Sequence, residues 1–223
     1  MNTEDVEMRK DDLTLYLVTD STGMAEDAFL KKVEMACDGG VTMIQLREKE
    51  RCGSEFIELA LKVKRISDEH GIPFIINDRI DVAMATDASG VHLGQSDIPV
   101  RYARKMLGDD KIIGASTKTV PQAMKALEEG ADYLGVGAIY PTTTKVVTAI
   151  TEVSVLNDIA VQTGLPVVAI GGLNSTNIHV LYESKADGIA VVSAIMKSHD
   201  PKRTSADLKE QVLRNFRSKA ADI

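Results

Sequence analysis

The stretch PFIINDRIDVAMATDASGVHLGQSD, residues 73–97, carries the alternation that sets the fold. An apolar run from Pro73 ends in the polar Asn77, Asp78 and Arg79. Helical spacing follows over Ile80–Ala85, then a second apolar run, Gly90–Leu93, which again ends in polar residues up to Asp97. Runs rich in Val and Ile that are apolar at nearly every position are buried on both faces, as parallel strands covered by helices require.

The same unit recurs along the chain. Strands are expected at Thr14–Val18, Val41–Leu46, Pro73–Asn77, Gly90–Leu93, Lys111–Ser116, Asp132–Val136, Pro166–Ile170 and Gly188–Val192, eight in all. Helices are expected at Ala25–Cys37, Ser54–His70, Ile80–Ala85, Pro99–Leu107, Val120–Glu129, Glu152–Thr163, Thr176–Ser184 and Pro201–Ser218. Gly39, Gly71, Gly108, Gly130 and Gly164 each fall just past a helix, where a left-handed C-cap favours a residue without Cβ.

Eight strands alternating with eight helices leave a closed (β/α)8 TIM barrel or an open doubly wound sheet. The count, and the 223-residue length, favour the barrel. An open dinucleotide-binding sheet would carry G-x-G-x-x-G after its first strand, and VTDSTGM stands there instead. No linker or composition shift divides the chain, so residues 1–12 read as a charged N-terminal tail or cap and 13–223 as one barrel domain.

A net charge of −7 argues against nucleic acid or an anionic membrane as partner, since both need a basic field. The acidic start lacks the apolar core of a secretory signal, and the longest apolar stretches fall short of the ~18 residues of a spanning helix. Two cysteines, Cys37 and Cys52, without metal-ligand spacing, read as small semi-buried residues and fit a reducing compartment. The chain is expected to be soluble and cytoplasmic.

In such a barrel, functional groups gather at the C-terminal strand ends. After the second strand, Gln45, Arg47 and Lys49 stand at alternate positions, which period two would send to one side. Two cations and an amide together suit a phosphate or diphosphate, whereas a solvated charge run opening a helix is the plainer alternative. After the third and fourth strands come Asn77 with Asp78, and Asp97. Each Asp precedes a helix and could be its N-cap. As a pair beside Arg47 and Lys49 they read better as ligands of a Mg²⁺ that keeps waters and bridges ligand oxygens. His92, amid apolar strand residues, reads as a hydrogen-bonded core or rim residue.

The fifth strand ends at Ser116. After the seventh and eighth, Gly171 and Gly172 let backbone approach an anion, with the N–H groups of Gly172, Val192 and Ser193 as candidate donors; a simple tight turn is the alternative. Between these two anion regions runs VGAIYPTTTKVVTA, residues 136–149, where Pro141, Thr142, Thr143, Thr144 and Lys145 offer a stiff entry, hydroxyls and a charge. Its length marks it as a candidate lid.

With YLVTD, QLREK, INDRIDVA, GVHLGQSD, YPTTTK, AIGG and VVSAI in order over nearly the whole chain, the sequence resembles the thiamine phosphate synthase family. The resemblance implies a TIM barrel transferase of thiamine biosynthesis. It would condense 4-amino-5-hydroxymethyl-2-methylpyrimidine diphosphate with hydroxyethylthiazole phosphate, releasing diphosphate with Mg²⁺ by a dissociative route. It implies that Gln45, Leu46, Arg47, Glu48, Lys49 and Asn77 hold the pyrimidine diphosphate and Asp78 and Asp97 the metal. Ser116 and Lys145 would add diphosphate or pyrimidine contacts, and Thr142, Thr143, Thr144, Gly172, Val192 and Ser193 would hold the thiazole phosphate. Arg47, Lys49, Ser116 and Lys145 are the catalytic candidates. Val146 and Val147 depart from a family pattern that often places a charged residue or proline after the lysine. The rival readings are a thiazole phosphate tautomerase, which would need a proton-transfer residue but no diphosphate-metal cluster, and a non-catalytic phosphometabolite-binding barrel. A homo-oligomer is compatible with the sequence, which does not fix the number of subunits.

Overall fold

The computed structural model describes residues 8–141 and 149–216. Eight strands, β1 (Leu15–Val18), β2 (Met43–Leu46), β3 (Phe74–Asn77), β4 (Gly90–Leu93), β5 (Ile112–Thr117), β6 (Tyr133–Gly137), β7 (Val167–Ile170) and β8 (Gly188–Val191), pair in sequence order into a closed barrel. Every pairing is parallel, and β8 returns to β1 with Leu15 opposite Ile189. The expected (β/α)8 architecture is therefore the observed one.

The strands are apolar at most positions because each faces two cores. Leu15, Leu17, Ile44, Leu46, Phe74 and Ile76 join the helix residues Phe29, Val33, Phe56 and Leu59 in an outer cluster. The alternate residues Tyr16, Val18, Met43, Ile75, Ile112, Tyr133 and Val168 form a second cluster that contains no residue of the outer α-helices, and so fill the lumen. Leu13, from a 3-10 turn at Lys10–Leu13, completes that inner cluster, and Thr42 Oγ1 ties the turn down by donating to Asp12 O at 2.9 Å.

Outside lie α1 (Glu26–Asp38), α2 (Gly53–His70), α3 (Ile80–Thr86), α4 (Val100–Leu107), α5 (Val120–Glu128) and α6 (Val153–Thr163). Beyond β8 come the short α7 (Ser193–Met196) and α8 (Pro201–Phe216). The helix expected at Thr176–Ser184 is only a 3-10 turn, Ile178–Leu181. Local side chains compete for its backbone: Asn174 Oδ1 accepts from Thr176 N, Asn177 Oδ1 accepts from Asn174 N, and Asn177 Nδ2 donates to Gly172 O. Asn side chains that capture nearby backbone groups favour turns over helix. The expectation of a left-handed cap also fails at Gly108, whose φ of +75° goes with an extended ψ of −172°, and at Gly39, whose φ is −81°. Glycine is required there by contact instead, since a Cβ would lie 2.2 Å from the carbonyl oxygen of Lys202 in α8.

The end of the barrel opposite the candidate site is held by Arg104 of α4. Its guanidinium donates to the carbonyls of Gly108, Lys111 and Gly130 and to Asp132 Oδ2, and that carboxylate also accepts from Ile113 N. The loops entering β5 and β6 are thus locked by one side chain. Arg104→Met keeps the stem but leaves these acceptors without their donor, and is expected to cost about 2 kcal/mol. The check is the urea midpoint at unchanged m; a midpoint equal to that of the parent would contradict it.

Candidate active site

The C-terminal strand ends bring together most of the residues singled out in the sequence. β2 ends at Leu46, so the alternation that groups side chains on one side extends to Gln45 but not through Arg47 and Lys49, which lie in the irregular stretch beyond it. Gln45 is buried, Arg47 half-buried and Lys49 exposed. Arg47 N donates to Thr19 Oγ1 at 3.2 Å, tying this segment to the end of β1. Glu48 is fixed by its neighbours: its Oε2 accepts from Ser21 Oγ at 2.8 Å and faces Arg51 at 3.3 Å, while Oε1 is buried without a hydrogen-bond partner in the described structure.

At the next two strand ends, Asn77 stands opposite His92 in the β3–β4 register. Asp78 N donates to His92 O, and Arg79 N to Asn77 O at 2.8 Å, closing a turn around Asp78, whose φ is +63°. Backbone in this sparsely populated region is costly and tends to persist where a site needs it. The N-cap reading of the two carboxylates does not hold, because the caps of α3 and α4 are Arg79 and Pro99. Asp97 instead closes its own loop, accepting from Gly94 N at 2.6 Å through Oδ2. Among the described residues no group of three or more His, Cys, Asp or Glu side chains is placed to hold a metal. Two carboxylates on adjacent strand ends suit a hard cation that takes its remaining ligands from water and substrate, which is how Mg²⁺ is commonly bound.

A chain of hydrogen bonds runs through the buried floor of the mouth. Gln45 Nε2 donates to Tyr16 OH at 2.7 Å, Tyr16 OH meets Tyr133 OH at 2.8 Å, Tyr133 OH meets His92 Nδ1 at 3.0 Å, and His92 Nε2 meets Ser116 Oγ at 2.9 Å. Five strands contribute, and burial pushes both phenols well above their ordinary pKa, so each is a neutral hydroxyl. The expectation that His92 is a hydrogen-bonded core residue is met. Tyr16 and Tyr133 were not singled out by sequence reasoning. The available signal was a lone polar-tipped aromatic in each of the otherwise aliphatic runs TLYLV and DYLGV.

On the other side, Gly171 and Gly172 turn with φ of +101° and +67°. A Cβ at Gly172 would lie 2.7 Å from Pro141 O, so the entry to the threonine-lysine stretch packs on this turn, and Thr151 N beyond it donates to Ala138 O at 2.8 Å. Thr142, Thr143, Thr144, Lys145, Val146 and Val147 lie outside the described residues. Val192 is half-buried and caps α7, with Ser193 exposed as its first residue. Cys52, expected to be semi-buried, is exposed at the cap of α2, whereas Cys37 is buried and its thiol is pushed up to about 12 by that burial.

The comparisons agree in kind. The sequence model of the family described as thiamine monophosphate synthase matches residues 15–195. The thiamine-phosphate synthase of Methanobrevibacter smithii is 48% identical over 208 residues, covering 93% of this chain and 97% of its own. That of Clostridium tetani is 46% identical over 197 residues, covering 88% and 94%. Among solved structures, thiamine phosphate pyrophosphorylase from Pyrococcus furiosus superposes with a TM-score of 0.82 at 35% identity, covering 92% of this chain and 98% of its own.

Proposed function

The chain belongs to the thiamine monophosphate synthase family, and from that premise we propose how its barrel mouth forms thiamine phosphate. It is a transferase of thiamine biosynthesis, and no described helix is long and apolar enough to cross a membrane. The proposed substrates are 4-amino-5-hydroxymethyl-2-methylpyrimidine diphosphate and hydroxyethylthiazole phosphate. The observation that carries this assignment is the division of the mouth. Cationic, amide and carboxylate groups gather at the ends of β2 to β5, and a glycine turn stands across from them at the end of β7.

In the proposed reaction the bond between the pyrimidine methylene carbon and the diphosphate oxygen breaks first, and its electron pair leaves with the diphosphate. The thiazole nitrogen then supplies a lone pair to form the new C–N bond. Chemistry of this kind asks for leaving-group charge stabilisation and alignment, and needs no side-chain nucleophile. Arg47, Lys49 and Lys145 offer positive charge to the departing diphosphate, and Ser116 a hydroxyl. Gln45 and Asn77 line the pyrimidine side with their side chains, and Leu46, whose side chain is buried against the helices, and Glu48, whose carboxylate is held by Ser21 and Arg51, contribute there through backbone. Thr142, Thr143, Thr144 and the backbone of Gly172, Val192 and Ser193 receive the thiazole phosphate. Asp78 and Asp97 would hold Mg²⁺, which when bound neutralises diphosphate charge.

A tautomerase would need a proton-transfer residue. The one described histidine in the mouth has both ring nitrogens engaged, one with Tyr133 and one with Ser116. Lys145→Ala is expected to lower kcat about a hundredfold while the KM for thiazole phosphate moves by no more than about threefold, since a contact to the leaving group matters most as charge develops. Steady-state kinetics with an unchanged kcat would sink that role.

A further inference from the structure

We propose that Tyr16, Tyr133 and His92 are positioning residues, forming a one-directional hydrogen-bond relay that fixes Gln45 as an acceptor and Ser116 as a donor toward the pyrimidine substrate. The proposal rests on the reaction just described. Its basis is the unbroken sequence of contacts from Gln45 through Tyr16, Tyr133 and His92 to Ser116, none longer than 3.0 Å.

A chain of hydroxyls and a neutral imidazole can run in either of two senses, and each sense fixes every member. In one, Gln45 Nε2 donates to Tyr16, Tyr16 to Tyr133, Tyr133 to His92 Nδ1, and His92 Nε2–H to Ser116 Oγ. The Ser116 proton is then left to point at the ligand, and Gln45 keeps its carbonyl oxygen for a ligand donor. In the other sense Ser116 spends its proton on His92 and turns lone pairs toward an anionic diphosphate. An acceptor-only ligand beside Ser116 selects the first sense, which is also the sense of the Gln45 to Tyr16 bond. The amino group of the pyrimidine then meets an acceptor, and the diphosphate end a donor.

The barrel is shaped around this relay. Gly114 lies between His92 and Tyr133 in the register, and a Cβ there would sit 2.1 Å from Tyr133 Cζ and 2.5 Å from His92 Nδ1. Gly135 gives similar room, since its Cβ would lie 3.0 Å from His92 Cε1. Two strand residues without side chains therefore let a tyrosine and a histidine meet across the lumen. Glycine inside a strand otherwise weakens it, and often marks such a close approach. Tyr133 is the link on which both halves depend, because its hydroxyl touches both Tyr16 and His92.

The test combines ¹⁵N NMR of the imidazole nitrogens, at one fixed pH, with kinetics of Tyr133→Phe and Tyr16→Phe. His92 is identified among the four histidines by the signals missing in His92→Gln. The relay requires a neutral ring protonated on Nε2 with Nδ1 bare, and a change in these signals in Tyr133→Phe. That variant should lose about ten- to a hundredfold in kcat, the scale of a misplaced reactant, with the KM for thiazole phosphate within about twofold. Tyr16→Phe should lower kcat similarly while leaving the His92 tautomer unchanged. A proton on Nδ1, a doubly protonated ring, or a Tyr133→Phe enzyme with parental kcat would each overturn the relay. Failure of the parent enzyme to form thiamine phosphate would instead defeat the proposed reaction, leaving the tautomer measurement to stand alone.

Discussion

Replacing Asp78 and Asp97 together by asparagine should lower thiamine phosphate formation about a thousandfold and abolish its stimulation by Mg²⁺. The argument is electrostatic. A departing diphosphate develops charge that several kcal/mol of metal-ion stabilisation offsets, and about 4 kcal/mol corresponds to that factor. Asparagine is the informative substitution because the two carboxylates also shape their loops. Asp78 holds φ at +63°, a region that Asn tolerates, and Asp97 accepts from Gly94 N, which an amide oxygen can replace. Alanine would disturb both loops and confuse folding with chemistry. Steady-state rates measured across Mg²⁺ concentrations decide the matter: full activity of the double Asn variant would reject this pair as the metal site.

Gly114→Ala is expected to destabilise the barrel by about 3 kcal/mol, at the upper end of what overpacking usually costs. The added methyl meets a buried ring that packs in the lumen with Tyr16 and Met43, so neither side can yield cheaply. The same change should push Tyr133 away from His92 and lower kcat. Urea unfolding of the single variant, and of Gly114→Ala in a background carrying both Tyr133→Val and His92→Ala, tests the cause, because the methyl meets both rings and removing the two together should abolish most of its cost. A Gly114→Ala variant as stable as the parent, or one whose loss persists without both rings, would contradict the packing argument.

These two positions mark where the sequence was legible. β3 could be read because Phe74–Ile76 face apolar neighbours on both sides, and β4 because Val91 and Leu93 pack into the outer core on either side of a single buried histidine. The ends of those strands could be read as well, since a barrel sends functional groups to one rim and Asn77, Asp78 and Asp97 follow apolar runs directly. Gly114 could not be read in this way. Its reason lies in a register that sets it between residues of two other strands, and in a contact between His92 and Tyr133 spanning 41 positions of sequence. The Thr176–Ser184 segment misled for a local reason: its apolar spacing is helical, but Asn174 and Asn177 take the backbone groups a helix would use. Gly39 misled because a glycine after a helix can serve a neighbouring backbone rather than a left-handed turn. The alternation through QLREK failed beyond Leu46 because period two lasts only as long as the strand does.

The central claim is the joining of two phosphorylated rings at one barrel mouth, and it has a direct measurement. The purified protein is mixed with pyrimidine diphosphate, thiazole phosphate and Mg²⁺, and thiamine phosphate and diphosphate are followed together, with a parallel sample in EDTA. Equal and simultaneous appearance of both products, lost in EDTA, is the expected result. Binding of thiazole phosphate with neither product formed would contradict the account.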